Sequence, residues 1–189
     1  MKVLNNLSDP SLVKIINSGK IGIIPTDTVY GMVGIASNPD VANKIYSLKR
    51  PGITKKGTLI AANLDQLEQL GSLKEDLLNA EEYLGRGVSV IVRLKKNLNY
   101  LNFDTGCQAV RIIKNGPLNN LLTKVGPLIT TSANYGGQST VENIGDAIKE
   151  FGDKLDFYVD GGHKNGIPST IIELIGSKIT VIRQGSLKI

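Results

Sequence analysis

Short apolar runs bounded by glycine and proline alternate with capped amphipathic segments along most of this 189-residue chain. That alternation is the strongest constraint on the fold: each run must be buried in a sheet, and each amphipathic segment must cover it. Strands are predicted over residues 21–25, 58–62, 88–94, 108–113, 127–130 and 156–159, most of them rich in Ile, Leu and Val. Helices are predicted after Asp9-Pro10, after Asn38-Pro39, over 64–84 with a break near Gly71, and over 117–124 and 141–151. The caps are polar residues followed by proline or by an apolar period of three to four. Residues 26–37 and 97–106 show no clear period and read as loops. Residues 169–175 and 178–183 read as a terminal hairpin around Gly176-Ser177. The predicted fold class is α/β, a twisted open sheet of mixed parallel and antiparallel strands with flanking helices, in a single domain over 1–189.

Composition narrows the chemistry. No run approaches the roughly 18 apolar residues a membrane span needs, and the start of the chain lacks a signal-peptide pattern. Cys107 is the only cysteine and His163 the only histidine. Zinc sites of the usual spacing, iron–sulfur clusters and an internal disulfide are therefore excluded, and a cytoplasmic location is expected. The net charge of +5 suits an anionic ligand or nucleic acid without identifying either. Only five of the 22 basic residues are arginines. Because arginine offers a planar, permanently charged fork, each one raises the question of what it grips.

Four loops after predicted strands gather hydroxyl, amide and basic groups, and ligands of open α/β sheets collect beyond strand ends. Pro25-Thr26-Asp27-Thr28-Val29-Tyr30-Gly31 makes either a polar pocket floor or a plain turn. Lys49-Arg50-Pro51 with Lys55-Lys56 can bracket a phosphate, or simply place cations at a helix end. Ser132-Ala133-Asn134-Tyr135-Gly136-Gly137, with Ala109-Val110-Arg111 on the preceding strand, lets backbone N–H groups approach an anion, but it has no Walker A spacing. Gly161-Gly162 through Pro168-Ser169-Thr170, followed by Arg183-Gln184-Gly185, repeats the glycine, hydroxyl and arginine combination. With no G-x-S-x-G elbow and no Cys–His pair close in sequence, the residues point to positioning and charge stabilisation rather than covalent catalysis.

Read in order, Pro-Thr-Asp-Thr-Val-Tyr-Gly, Lys-Arg-Pro, Ala-Val-Arg, Ser-Ala-Asn, Gly-Gly…Pro-Ser-Thr and Arg-x-Gly resemble the YrdC family, the threonylcarbamoyl-AMP synthases, in its short single-domain form. The resemblance spans residues 25–185. It implies an open mixed sheet around a concave basic cavity, and a reaction joining L-threonine, bicarbonate and ATP into threonylcarbamoyl-AMP and pyrophosphate. On this resemblance Lys49 and Arg50 meet the triphosphate, with Mg²⁺ bound through the ATP phosphates. Thr28, Arg111 and Ser169 hold threonine, with Arg111 on its carboxylate, and Ser132, Asn134 and Arg183 position the nucleotide. A downstream threonylcarbamoyl transferase complex acting on tRNA, and direct tRNA contact, are the implied partners. The family's Trp-Pro-Gly-Pro segment is absent before Val88-Ser89-Val90, so that wall of the cavity is expected to differ. Gly136 also stands where the family often has serine, and the histidine some members place after the strand at 58–62 is missing. Two alternatives stand beside the enzyme. One is a non-catalytic double-stranded RNA- or tRNA-binding module; the other is a carbamoyl-adenylate domain of another maturation pathway.

Overall fold

The computed structural model describes residues 1–49, 56–176 and 178–189. Its strands are β1 (Lys2–Leu4), β2 (Gly22–Pro25), β3 (Tyr30–Ile35), β4 (Thr58–Ala61), β5 (Val88–Arg93), β6 (Cys107–Ile112), β7 (Leu128–Ser132), β8 (Phe157–Val159), β9 (Thr170–Ile175) and β10 (Lys178–Arg183). They form one open sheet in the order β1-β8-β2-β3-β7-β4-β6-β5-β9-β10. The pairs β1/β8, β8/β2, β4/β6 and β5/β9 are parallel, and the remaining neighbours are antiparallel. The mixed sheet with flanking helices is thus the one anticipated, although antiparallel pairing also runs through its centre and not only the terminal hairpin.

The α-helices are α1 (Pro10–Asn17), α2 (Pro39–Ser47), α3 (Leu64–Leu70), α4 (Lys74–Ala80), α5 (Asn99–Asn102), α6 (Gly116–Val125) and α7 (Ile144–Phe151). Their starts follow from local chemistry. The Asp9 carboxylate accepts from Ser11 N at 2.8 Å, and the Asn38 side chain accepts from Asp40 N at 2.9 Å, in each case just ahead of a proline in the first turn. Glycine at position 71, with φ near +129°, closes α3, as its place in the sequence suggested.

Consecutive strand residues point to opposite faces, and here both faces are buried. Ile23, Met32, Leu59 and Ile129 pack under α2, α3, α4, α5 and α7. Ile24, Val33, Ile60 and Leu128 pack under α1 and α6. Burial on both sides explains why these strands read as continuous apolar runs. The second helical layer is incomplete: β5, β9 and β10 contribute nothing to the α1/α6 core. That uncovered half of the face is where the polar residues gather.

Three sequence expectations are corrected. Residues 30–35 form a central strand, not a loop, and residues 2–4 form an edge strand. The expected helix over 141–151 begins only at Ile144. Val141 N stays paired with Ala133 O at 3.0 Å, and Asn143 then caps α7 by accepting from Asp146 N at 2.9 Å. Part of the segment 97–106 is helical, as α5, with Leu101 fully buried.

Candidate functional site

The tops of four strands build the site. On β4, β6, β7 and β3, the residues pointing to the α1/α6 side run from Ile60 to Thr58, from Ile113 just past the strand end to Arg111, from Leu128 to Thr130 and Ser132, and from Val33 to Gly31. One face therefore changes from apolar under the helices to small and polar beyond them. Thr58, Arg111, Thr130, Ser132 and Gly31 line a cavity of about 200 Å³. A side chain at Gly31 would fall 2.6 Å from the Thr130 hydroxyl, so glycine there keeps the floor open.

The loop between β2 and β3 is a tight Thr turn. Thr26 donates its hydroxyl to Val29 O at 2.6 Å and its N–H to the same oxygen at 3.1 Å, which leaves Thr28 on the cavity wall. Tyr30 then reaches across to the loop after β8. Its hydroxyl donates to Gly162 O and accepts from Gly161 N, both at 2.8 Å, and burial pushes its pKa up.

Arg111 is the buried charge of the site, at 4 % exposure, and its Nη2 lies 2.8 Å from Asp27 Oδ1. Burial pulls the guanidinium pKa down while Asp27 opposes that shift. A buried cation without a nearby anion is costly, and Asp27, partly exposed itself, supplies that anion. Arg111 Nε is buried with no hydrogen-bond partner among the described residues. Beside it Arg183 donates to Ser169 O from Nε at 3.1 Å and from Nη2 at 2.7 Å. Burial, and then the like charge of Arg111, lower the Arg183 pKa.

Lys49, at the end of α2, is drawn into the loop after β7. Its ammonium donates to Ser132 O and Asn134 Oδ1, each at 2.7 Å, and to Asn134 O. Gly136 N returns a bond to Lys49 O at 3.2 Å, and Ser132 Oγ donates to Asn134 Oδ1 at 2.6 Å. The Ser-Ala-Asn loop is thereby fixed as an organised turn. Lys56 adds a further cation to the same cavity.

Of the residues singled out in the sequence, Thr28, Lys49, Arg111, Ser132, Asn134, Ser169 and Arg183 all line this one cavity. Arg50 lies outside the described residues. Arg93 lies elsewhere, its guanidinium held by Asp76 and Glu75 on α4. His163 is exposed, 3.4 Å from Glu142. Among the described residues no cluster of His, Cys, Asp or Glu could hold a metal ion, and no carboxylate lines the cavity.

The order of these loops is that of a known family. A family model named Sua5_yciO_yrdC, with the description "Telomere recombination", matches residues 14–185. The chain belongs to the Sua5/YciO/YrdC family. A family relative from Idiomarina loihiensis, named threonylcarbamoyl-AMP synthase, is 30 % identical over 173 residues, covering 85 % of this chain and 91 % of its own. The crystal structure of P. abyssi Sua5 complexed with L-threonine superposes with a TM-score of 0.85 at 21 % identity, covering 98 % of this chain and 58 % of that longer one. The crystal structure of E. coli YciO superposes at 0.80 and 18 % identity, covering 97 % and 93 %. These likenesses establish the family's open mixed sheet for this chain.

Two residues of the site carried no assignment from the sequence. Asp27 sits inside the first motif, yet its partner Arg111 is 84 positions away, and nothing local signals that pairing. Ser89 is the second residue of β5, just after the place where the expected Trp-Pro-Gly-Pro segment is missing. It is fully buried, and its hydroxyl is 3.0 Å from that of Ser169. A lone hydroxyl in the middle of the β-branched Val88-Ser89-Val90 was the available signal, since a buried polar group needs a partner.

Proposed function

We propose that this chain is a threonylcarbamoyl-AMP synthase, condensing L-threonine, bicarbonate and ATP into threonylcarbamoyl-AMP and pyrophosphate. The observation that carries the reading is a single cavity lined both by the deeply buried Arg111 with Ser169 and Arg183 and by a lysine-braced, glycine-rich loop. The first suits a small carboxylic acid, and the second suits a polyphosphate. The name of the Idiomarina loihiensis relative and the threonine bound to the P. abyssi protein support it.

In this reading the free amine of threonine attacks the bicarbonate carbon, a C–N bond forms and water is lost, giving a carbamate. A carbamate oxygen then attacks the α-phosphorus of ATP, and the bond to the β-phosphate breaks as pyrophosphate departs. No side-chain nucleophile takes part, so the protein's task is to hold two anions together and offset the charge that develops. Arg111, Thr28 and Ser169 hold threonine; Ser132, Asn134 and Arg183 position the nucleotide; Lys49, with Arg50, serves the triphosphate. Magnesium would be carried by the ATP phosphates, in keeping with a cavity wall that offers it no carboxylate among the described residues. The product would pass to a threonylcarbamoyl transferase complex acting on tRNA. A cytoplasmic location fits this role, and no helix among the described residues is long and apolar enough to cross a membrane.

The test is pyrophosphate release from ATP with threonine and bicarbonate supplied together and singly. Release should need both, because the attacking carbamate contains both. Release at full rate with either one omitted would overturn the reading.

A further inference from the structure

The loop after β7 is held from behind as well as from the cavity. Ser132, Asn134, Gly136 and Gly137 line the cavity, whereas Tyr135 packs away from it. The Tyr135 ring lies against Phe151 of α7, with centroids 4.8 Å apart, and its hydroxyl accepts from Lys154 Nζ at 2.9 Å. Its N–H donates to Glu150 Oε1 of α7 at 2.9 Å. The carbonyl of the same peptide, Asn134 O, accepts from the Lys49 ammonium. A trans peptide carries its N–H and C=O on opposite sides. One peptide plane is therefore gripped at its two ends by opposite charges.

That arrangement matches charge to dipole. The carboxylate sits at the positive N–H end and the ammonium at the negative C=O end, and a flipped peptide would meet like charge at both. Docking of α7 itself does not call for Glu150. The helix is capped by Asn143 and buried through Ala147 and Phe151, while Glu150 is only half-buried. Nor does Glu150 reach the ligand space: among the described residues, none of α7 lines the cavity. We propose that Glu150 is a positioning residue for the nucleotide. Through the Tyr135 N–H it fixes the Asn134–Tyr135 peptide, and through that peptide it sets the placement of Asn134 and of the Lys49 ammonium. The inference rests on the nucleotide side of the reading given above.

The experiment follows pyrophosphate release against ATP and against threonine for the unaltered protein, Glu150→Ala and Glu150→Gln, with the Tm of each. Alanine removes the acceptor, whereas glutamine keeps an acceptor oxygen at the same reach. Glu150→Ala should raise the ATP concentration for half-maximal rate by about 3–30-fold, the span from a neutral to a charge-assisted hydrogen bond. The threonine requirement should stay near that of the unaltered protein, and Glu150→Gln should recover most of the loss. A bond that served only the fold would lower Tm without separating the two substrates. An equal rise in both requirements, an unchanged ATP requirement in folded Glu150→Ala, or a Glu150→Gln protein no better than Glu150→Ala would each overturn the proposal. A Glu150→Ala chain that does not fold would overturn it too, since the bond would then hold the molecule rather than the loop. Failure of the unaltered protein to release pyrophosphate with all three substrates present would instead sink the synthase reading, a different outcome from any of these.

Discussion

At the scale of single residues, the proposed site turns on what a guanidinium does that an ammonium cannot. Arg111 has 4 % exposure, one ion-pair partner and a buried Nε with none. Arg111 lines the cavity, where a planar carboxylate can meet a guanidinium through two parallel N–H bonds and an ammonium offers only a point contact. Arg111→Lys should therefore raise the threonine concentration needed for half-maximal rate about tenfold or more, in line with the loss of a charge-assisted bond. The ATP dependence should stay near that of the unaltered enzyme. A folded Arg111→Lys protein with unchanged threonine dependence would remove Arg111 from the threonine site. The motif residues themselves were legible in the sequence because each needs an uncommon side chain at a strand end. What could not be read was the contact between them. The Asp27–Arg111 and Ser89–Ser169 pairs join residues 84 and 80 positions apart, and only the order of strands in the sheet brings them together.

Among the elements, legibility followed local chemistry. The helices α1, α2 and α6 were visible from a proline in the first turn and an apolar face. By contrast β3 was missed because it carries two glycines and no alternation, both consequences of packing. A Cβ at Gly34 would meet Val41 of α2 at 2.3 Å, so the glycine lets that helix lie close on the strand. Other joints between elements are electrostatic. Asp76 of α4 accepts from the backbone N–H of Arg93 at 2.7 Å and pairs with its guanidinium, tying the helix to β5. The side-chain bond to Arg93 is the main reason the Asp76 pKa lies below its ordinary value. The folded-state pKa is thus depressed, so this joint stabilises the protein above the ordinary aspartate pKa of about 3.9 and is lost as pH falls through the lower folded value. Asp76→Asn should melt below the unaltered protein at pH 7, and the gap should narrow as pH drops below about 4. A gap that stayed constant down to pH 2 would show that the joint works through shape rather than charge. Arg93 is half exposed, so the effect at pH 7 should be modest.

For the molecule as a whole, the defining feature is a sheet whose second face is only half covered. The helices α1 and α6 bury one end, and at the other the chain doubles back on itself to finish the cavity wall. The late Arg-x-Gly segment does this. Arg183 caps the Ser169 carbonyl, Gly185 N donates to Thr170 Oγ1 at 3.0 Å, and Ser186 N donates to Pro168 O at 3.0 Å. Gly185 is packed so closely that a Cβ would fall 2.2 Å from Pro168 O and 2.4 Å from the Ser169 carbonyl carbon. Both are backbone atoms and cannot swing aside, so Gly185→Ala must push the two segments apart. Overpacking of this kind costs about 1–3 kcal/mol. In a domain of this size that is roughly 2–12 °C of Tm. The strain falls beside β10, an edge strand that is largely exposed and adds nothing to either core, so the fold should survive. The Arg183–Ser169 contact should not. Gly185→Ala is therefore expected to remain folded, to lose several degrees of Tm, and to need substantially more threonine for the same rate of pyrophosphate release. A variant that melts lower yet responds to threonine like the unaltered enzyme would show that the returning segment braces the sheet without shaping the substrate wall.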